Sequence, residues 1–397
     1  MEKWCSTWGY ANLDFSAFPL AADNDVQLFS FCNLISGSAF RIRFQNQFQK
    51  VPVRIKTARL WMQKEDKHIE LAISCNQQEV FDIPGKSGLW SDPLEAEFTA
   101  GEWLTVYLAF EDHTQAFCGC TFLENSMMRV EHYDRTERQK KEISDLSKAF
   151  ASLEPDHQIV MGFDQIQIQT EEKISVVAVF GDSITHMSRW SAPLAEKMLQ
   201  ENVGKMVLIN KGIGGNRLLH DSPPGSDHGN WFGKKGTQRF ESQLFYDDFH
   251  ADHIILLEGI NDILQPLYGV APKKETVTAQ EITDGLEYCA HVAHQHNACI
   301  YIATLLPFNG FLSYWSQELE EMRGLINQWI RNSRVFDGIL DFDLWLRDSN
   351  NPTKLDKKGG SQDNLHPGVI GGKMIADQIE VSCFRPEVKN VYNIRNL

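Results

Sequence analysis

The apolar and polar positions of this chain follow two different periods, one in each half. In the first half, short segments alternate apolar with polar residues, which is typical of strands half buried in a sheet. These segments are VQLFSF (26–31), FRIRF (40–44), VRIKTARLWM (53–62), IELAIS (69–74), EWLTVYLAF (102–110) and QIQIQ (165–169). Turn-forming Gly, Pro, Ser and Asp residues separate them. We therefore predict an all-β sandwich of jelly-roll type, an accessory domain over residues 1–172.

A charged stretch interrupts this pattern. Residues 131–157, EHYDRTERQKKEISDLSKAFASLEPDH, carry charges of both signs. Mixed charges of this kind are typical of a solvated surface rather than of a binding tail. We predict a solvated helix or a long loop for this stretch.

From about Ile174 onward, short apolar runs alternate with longer amphipathic segments. The predicted strands are 175–180, 205–210, 253–257, 298–303 and 338–341. The predicted helices are 189–202, 279–296, 314–332 and 368–382. Strands that alternate with helices favour a parallel sheet with helices on both faces. We therefore predict a three-layer α/β domain with a five-stranded, mostly parallel sheet over residues 173–397.

Composition and charge exclude some classes of protein. The chain has 397 residues, enough for two domains, and 42% hydrophobic and 23% charged residues are a normal globular balance. Its net charge of −15 argues against broad nucleic-acid binding. No segment approaches the roughly 20 apolar residues of a membrane span, and the first residues lack the apolar core of a signal peptide. We expect a cytoplasmic protein with reduced cysteines, in an oligomeric state that the sequence leaves open, a homo-oligomer included.

Polar residues and glycines follow the predicted strands of the second half. Gly181-Asp182-Ser183 comes after the first strand, the glycine-rich stretch 210–217 after the second, and EGIND (258–262) after the third. The loop after the last strand ends in DNLHPG (363–368). The carboxyl ends of parallel strands meet at one edge of the sheet, where α/β proteins bind their ligands. We therefore expect these residues to lie close together.

The residue types at these strand ends fit acyl transfer. A serine hydroxyl becomes a good nucleophile when a base takes its proton. His366 is the predicted base for Ser183, and Asp363 can accept a hydrogen bond from the second imidazole nitrogen. The oxyanion of a tetrahedral intermediate needs donors. Candidates are the N–H of Ser183, the N–H of a glycine in the second loop and the side-chain amide of Asn261.

Four short motifs stand at these strand ends: GDSIT (181–185), NKGIGGN (210–216), GIND (259–262) and DNLH (363–366). In this order they resemble the four blocks of the SGNH hydrolase (GDSL esterase/lipase) superfamily. The resemblance implies that the signature residues are Ser183, Gly215, Asn261 and His366, with Gly214 as the alternative to Gly215. It also implies a flavodoxin-like catalytic domain that needs no metal and no cofactor.

Longer strings carry the resemblance further. NKGIGGNRLL, LEGINDI and FDLWLRD with NPTKLD are similar to a subgroup of bacterial two-domain members, in which a β-sandwich precedes the hydrolase domain. The chain departs from the family pattern at His186, where members often have an acidic or small residue. Candidates for lining the pocket are His186, Asp182, Gly214 and Arg217. Asp182 and Asp262 are also candidates for holding loops through hydrogen bonds to backbone N–H groups.

Other interpretations of the same residues are disfavoured. The glycines of NKGIGGN could belong to a dinucleotide loop, but the G-x-G-x-x-G pattern would need a third glycine where Arg217 stands. The histidines of HVAHQHNAC (291–299) lie on a predicted helix without a carboxylate partner, and the Cys118–Cys120 pair has no second pair at ligand spacing. We therefore predict no metal site.

The predicted activity is that of a serine esterase for small acyl esters. Ser183 would attack the carbonyl, and His366 would act first as base and then as acid toward the leaving alcohol. The resemblance implies an acetyl group on a sugar or oligosaccharide, because many members deacetylate carbohydrates. A short-chain carboxylesterase and a lysophospholipase-type lipase are alternatives. A carbohydrate-binding protein with a decayed hydrolase domain is the non-enzymatic alternative.

Overall fold

A computed structural model describes residues 2–17, 19–21, 25–64, 67–112, 114–134, 157–223, 229–246, 248–313 and 315–388. The chain divides into two compact units. The first comprises residues 1–174 with the short segments 202–207 and 229–231, and the second comprises the rest.

The first unit consists of antiparallel sheets. Its strands are β1 (Lys3–Gly9), β2 (Leu13–Asp14), β3 (Leu20–Ala21), β4 (Asp25–Cys32), β5 (Gly37–Gln45), β6 (Val53–Lys64), β7 (Lys67–Ala72), β8 (Phe81–Ile83), β9 (Gly88–Trp90), β10 (Leu94–Phe98), β11 (Trp103–Phe110), β12 (Gln115–Ala116), β13 (Cys118–Leu123), β14 (Met128–Asp134), β15 (His157–Met161) and β16 (Phe163–Thr170). One sheet has the order β1-β16-β5-β10, with β9 beside β5. A second has the order β14-β4-β11-β6-β7, with β8 beside β6, and two smaller sheets have the orders β12-β3 and β15-β13-β2. The prediction of an all-β first half is confirmed.

The two larger sheets pack face to face through aromatic side chains. Phe29 of β4 contacts Trp8 of β1 and Phe163 of β16, with ring centroids 4.7 and 5.6 Å apart. Because β4 belongs to one sheet and β1 and β16 to the other, these rings fill the space between the sheets. Each of the six predicted alternating segments overlaps a strand. Many of their apolar positions lie in the core of this unit, as for Ile166 and Ile168, which are fully buried.

The prediction for residues 131–157 is wrong at its two ends. Residues 131–134 continue β14, which pairs with β4, and residue 157 begins β15. The alternation expected of a strand is not visible in this charged sequence, because a buried position is occupied by the polar His132. Val130, two residues earlier, is buried as well. Residues 135–156 lie outside the described residues.

The second unit is an α/β domain. Its strands are β17 (Ser175–Gly181), β18 (Met206–Gly212), β19 (Phe245–Tyr246), β20 (Phe249–His250), β21 (His253–Leu257), β22 (Cys299–Ala303) and β23 (Gly338–Leu340). Its helices are α1 (Ser183–His186), α2 (Ser191–Glu201), α3 (Gly236–Leu244), α4 (Ile260–Leu264), α5 (Ala279–Gln295), α6 (Gln317–Asn332), α7 (Phe342–Leu346) and α8 (Val369–Gln378), with 3₁₀ turns at Lys273–Glu275 and Val381–Phe384. None of the helices in the described part of the chain is long and apolar enough to cross a bilayer.

The predicted five-stranded sheet is confirmed. Its order is β18-β17-β21-β22-β23, and the pairs from β17 through β23 are parallel. All five predicted strands and all four predicted helices overlap an observed element. The helices α1, α3, α4 and α7 were not predicted. With four or five residues each, α1, α4 and α7 are too short to show a helical period.

This strand order places a crevice at the end of β17. The chain passes from β17 to β18 on one side, and β21 then lies on the other side of β17. Connections that leave a strand in opposite directions open a crevice at its carboxyl end, which is where such folds bind ligands. Ser183 begins α1 directly after this strand end.

Candidate active site

Ser183 lies in the first turn after β17, as the sequence predicts. It is the first residue of α1, and the Oδ1 atom of Asp182 accepts a hydrogen bond from Ile184 N at 2.9 Å, so Asp182 caps the helix. Gly181 has no room for a side chain, since a Cβ there would come 2.1 Å from the carbonyl oxygen of Leu257. The tight contact between β17 and β21 therefore requires glycine just before the serine.

The loop before α8 presents His366 and Asp363 as a pair. His366 Nδ1 lies 2.5 Å from Asp363 Oδ2. The other carboxylate oxygen accepts hydrogen bonds from Ser361 Oγ at 2.6 Å and Leu365 N at 2.9 Å. Partial burial would raise the pKa of Asp363, but the hydrogen bonds from His366 and Ser361 outweigh it and hold the pKa well below its usual range. Asp363 is therefore a carboxylate at neutral pH.

The structure brings this pair to the serine. His366 Nε2 lies 2.7 Å from Ser183 Oγ, although the two residues are 183 positions apart in the chain. Because Asp363 is ionised, it accepts a hydrogen bond from the protonated Nδ1 of His366, and Nε2 is then left to accept a proton from Ser183. The three side chains thus have the geometry of a hydroxyl, a base and a group that orients the base.

Hydrogen bonds of Asn210 connect the glycine-rich loop after β18 to the turn that carries Ser183. Asn210 Nδ2 donates to the carbonyl oxygen of Thr185 at 2.8 Å, while its Oδ1 accepts from Gly212 N at 2.8 Å. Gly215 has a φ of +72°, and a Cβ there would come 2.1 Å from a ring carbon of Phe232. Both the backbone conformation and the lack of space therefore require glycine at position 215.

Asn261 reaches the same loop from α4. Its Nδ2 donates to the carbonyl oxygen of Asn216 at 2.9 Å, and the residue is 5% exposed. A side-chain amide carries two hydrogens, and this bond uses one of them. Gly259 makes the turn into α4 with a φ of 116°. The structure therefore brings Asn261 beside the loop that contains Gly215.

The predicted pocket residues have structural partners. Gly214 N donates to His186 Nδ1 at 3.1 Å, and both residues belong to the second unit. Arg217 has a side chain that is only 1% exposed, and it bonds to Glu275 at 2.8 Å and to the carbonyl oxygen of Asp221 at 2.5 Å. These contacts hold the loop, so Arg217 does not present an open guanidinium to a pocket.

The sequence did not predict a role for Arg239, which lies buried next to the turn that carries Ser183. The guanidinium donates to the carbonyl oxygen of Gly181 at 2.8 Å, to Asn216 Oδ1 at 2.7 Å and to Glu258 Oε2 at 3.2 Å. Its centre also lies 3.8 Å above the Phe180 ring. One cation therefore joins the end of β17, the glycine-rich loop and the end of β21. A charged residue beside Phe240 in GTQRFESQL was the available signal.

Burial shifts the pKa of the acidic groups around Arg239. Removal from water raises the pKa of Asp182 to about 7 and that of Asp262 to about 6. Burial and the neighbouring Asp182 raise the pKa of Glu258, and burial lowers the pKa of Arg239 to about 10. Asp262 accepts hydrogen bonds from Leu218 N at 2.6 Å and from Leu219 N at 2.9 Å. Asp182 and Asp262 thus hold loops, as predicted.

The histidines of HVAHQHNAC each have an acidic partner, so the expectation that they lack a carboxylate partner is wrong. His291 lies near Glu287, while His294 bonds to Asp337 and His296 to Glu241. Within the described ranges, no group of three or more His, Cys, Asp or Glu side chains could hold a metal ion.

The family assignment comes from comparison with protein-family models. Residues 179–373 match the model of the GDSL-like lipase/acylhydrolase family. Residues 179–373 are a GDSL-like lipase/acylhydrolase domain. The resemblance predicted from the four motifs is confirmed, and the GDSL-like domain makes this chain a carboxylic ester hydrolase. No curated protein matches the sequence.

The GDSL-like domain is also similar to solved structures at low identity. A GDSL-like lipase from Bacteroides thetaiotaomicron has 14% identity and a TM-score of 0.36, covering 51% of this chain and 84% of that chain. An acetyl xylan esterase has 18% identity and a TM-score of 0.37, covering 51% and 96%. A GDSL-like lipase described as putative, from Parabacteroides merdae, has 18% identity and a TM-score of 0.39, covering 52% and 94%.

Proposed function

We propose that this chain is a serine esterase that hydrolyses small acyl esters, acetyl esters of sugars or oligosaccharides first among them. One observation carries the proposal of a serine mechanism. Ser183 Oγ, His366 and Asp363 are joined by hydrogen bonds of 2.7 and 2.5 Å at the carboxyl edge of the sheet. This is the arrangement in which a histidine can remove the serine proton while a carboxylate stabilises the imidazolium that forms.

The reaction proceeds in two half-reactions. Ser183 Oγ attacks the ester carbonyl as its proton passes to His366 Nε2, which gives a tetrahedral intermediate. The C–O bond to the alcohol breaks, and His366 returns the proton to the departing oxygen. A water molecule then attacks the acyl-enzyme and loses its proton to His366, and the acid leaves as Ser183 is restored.

The oxyanion is held by donors at the ends of three strands. We assign the N–H of Ser183, the N–H of Gly215 and the side-chain amide of Asn261 to this role. Gly214 was the alternative to Gly215, but its N–H already donates to His186 Nδ1 at 3.1 Å. The contact of Asn261 with the Asn216 carbonyl supports its place in the same set. Each such donor contributes about 3 kcal/mol to the transition state.

Exposed apolar residues around the loop that carries Asp363 and His366 favour a second candidate, an esterase for longer acyl chains. Val369 and Ile370, just after His366, are 65% and 58% exposed. Leu312 is 60% exposed, and its loop meets the catalytic loop where Asn364 Nδ2 donates to the carbonyl oxygen of Gly310 at 3.3 Å. Such side chains could contact an acyl chain that extends beyond the acetyl group.

Hydrolysis of a chain-length series tests both the mechanism and the substrate. Wild type, Ser183→Ala and Ser382→Ala are compared on p-nitrophenyl esters from acetate to octanoate and on acetylated oligosaccharides. Ser382 is an exposed serine remote in sequence from the motifs and serves as the matched control. We expect Ser183→Ala to lose a factor of about 10⁴ or more in rate and Ser382→Ala to match wild type. Equal rates for Ser183→Ala and wild type would refute the serine mechanism.

The same series separates the two substrate candidates. Release of acetate from acetylated oligosaccharides, with kcat/KM falling as the acyl chain lengthens, is the result expected of the proposed function. A kcat/KM that rises toward octanoate, with no release of acetate from sugars, would contradict the proposed acetyl esterase and support the second candidate.

A further inference from the structure

The peptide group between Gly214 and Gly215 lies between two anchored neighbours. On one side, Gly214 N donates to His186 Nδ1 at 3.1 Å. On the other side, the carbonyl oxygen of Gly215 accepts a hydrogen bond from Gln265 Nε2 at 2.6 Å. The central peptide carries the N–H of Gly215, which is the proposed oxyanion donor. Its direction is therefore set by the peptide groups on either side of it.

His186 belongs to the same short helix as the nucleophile. It is the last residue of α1, is only 3% exposed, and its own N–H donates to the carbonyl oxygen of Asp182 at 2.8 Å. Because Nδ1 accepts a hydrogen bond from Gly214, the ring carries its proton on Nε2. A Cβ at Gly212 would come 2.4 Å from His186 N, so the loop also packs directly against this helix. His186 thus fixes the glycine loop relative to Ser183.

Gln265 makes the corresponding connection to α4. It is fully buried, and its own N–H donates to the carbonyl oxygen of Asn261 at 3.0 Å. The residue that holds the Gly215 carbonyl is therefore bonded to the helix that supplies the amide donor. Two bonds, from α1 and from α4, fix the loop in relation to the other donors.

We propose that His186 is a positioning residue that aims the N–H of Gly215 at the oxyanion, and that Gln265 supports it from the other side. This inference rests on the proposed function. It also gives a role to the position at which the chain departs from the family pattern. Donors that are already aimed when the charge develops stabilise the transition state more than the bound substrate. Loss of the bond from Gly214 should therefore lower kcat and leave KM nearly unchanged.

A pair of variants of similar shape tests this role. His186→Leu removes the acceptor, whereas His186→Asn supplies a carbonyl oxygen near the place of Nδ1. Removal of an oxyanion donor lowers kcat by a factor of about 10² to 10³, and misdirecting one should lower it by about tenfold. We expect that loss in His186→Leu with KM changed less than twofold, and recovery to within about threefold of wild type in His186→Asn. His291→Leu, the same change on the exposed face of α5, serves as the control.

The outcomes separate this inference from the function on which it rests. Equal kcat values for His186→Leu and His186→Asn, or a change confined to KM, would overturn the positioning role while Ser183-dependent hydrolysis persists. If Ser183→Ala hydrolyses esters as fast as wild type, the proposed function itself fails. Should His186→Leu not fold, Gln265→Met decides the question, because it keeps the side-chain volume and removes the donor to Gly215. A wild-type kcat in folded Gln265→Met would then contradict the inference.

Discussion

Two of the histidine–aspartate pairs in the described part of the chain look alike and differ in their third partner. In the hydrolase domain, His366 bonds to Asp363 at 2.5 Å and to Ser183 Oγ at 2.7 Å. In the β unit, His132 Nδ1 bonds to Asp25 at 2.8 Å and its Nε2 to the carbonyl oxygen of Ile159 at 2.9 Å. A hydroxyl can donate a proton, whereas a carbonyl oxygen can only accept a hydrogen bond.

That difference distinguishes His366, the proposed base, from His132, which only connects strands. Nε2 of His132 must carry a proton to reach Ile159, so it cannot remove a proton from anything else. The His132 side chain is 7% exposed and that of Asp25 is fully buried, whereas Asp363 is 41% exposed. One pair connects strands of a closed core, and the other lies at the carboxyl edge of the parallel sheet beside Ser183. We therefore expect a histidine–aspartate pair to act in catalysis only when the third partner can lose a proton.

Replacing each histidine gives the largest contrast. We expect His366→Gln to lower kcat/KM by a factor of about 10⁴ without a change in melting temperature, because the base is lost from an open site. His132→Gln should instead lower the free energy of unfolding by roughly 3 kcal/mol, because a buried pair is broken. Its ester hydrolysis, measured well below the melting temperature, should match wild type. Ester hydrolysis and thermal unfolding measured on both variants check this. A similar loss of hydrolysis in both would end the distinction.

Replacing each aspartate by asparagine tests the same difference through the tautomer of the histidine. An amide can donate to Nδ1 and so favours the neutral ring with its proton on Nε2. His132 already needs a proton on Nε2, so Asp25→Asn should cost only about 1 kcal/mol of unfolding free energy. In Asp363→Asn the same tautomer blocks proton transfer from Ser183, and we expect kcat to fall by up to about 10⁴-fold. Initial rates and chemical denaturation of the two variants provide the test. An Asp363→Asn variant with full activity would show that this carboxylate is dispensable.

A smaller effect is expected at Asp182, a buried carboxylate that caps a helix. Its pKa of about 7 in the folded protein lies above the ordinary value of 3.8, so the folded state holds its proton more tightly than the unfolded chain does. The resulting stabilisation is present below pH 4 and is lost as the pH rises to about 7. Asp182→Asn keeps a side-chain oxygen that can accept the hydrogen bond from Ile184 N. It has no titratable group, so it does not lose stability as the pH rises. Its unfolding free energy relative to wild type should therefore increase between pH 5 and 7, by roughly 1.4 kcal/mol per unit at most.

Thermal unfolding of wild type and Asp182→Asn at pH 5, 6, 7 and 8 measures this difference. We expect it to grow up to about pH 7 and then to level off. A difference that stays constant, or that shrinks as the pH rises, would contradict the assignment of a raised pKa to Asp182.

Much of the fold could be predicted from the local pattern of apolar residues. The candidate site could be predicted from the residues that follow each strand. The apolar run 176–180 could be recognised as a buried strand by itself, and the residues after it were then placed at one edge of a sheet. Ser183, Asn261 and His366 meet there because parallel strands bring their carboxyl ends together. Their motifs, all short and close to strand ends, are visible in the sequence.

The features that the sequence did not predict depend on contacts between distant segments. Arg239 joins three strand ends, but its own segment shows only a charged residue next to Phe240. His186 was noticed as a departure from a pattern, yet its bond to Gly214 depends on how the glycine loop folds back. Residues 131–134 were assigned to a solvated helix or a long loop, because their charges conceal a strand period. In each case the partner across the fold, rather than the neighbour in sequence, determines the role.

Covalent labelling with a fluorophosphonate probe shows whether Ser183 is an activated nucleophile, because the probe reacts with a serine that a nearby base activates. We expect one adduct per chain, located on Ser183 by mass spectrometry, and no labelling in Ser183→Ala or His366→Gln under the same conditions. Labelling that persists in Ser183→Ala, or that is as fast in His366→Gln as in wild type, would contradict the assignment of Ser183 as the nucleophile activated by His366.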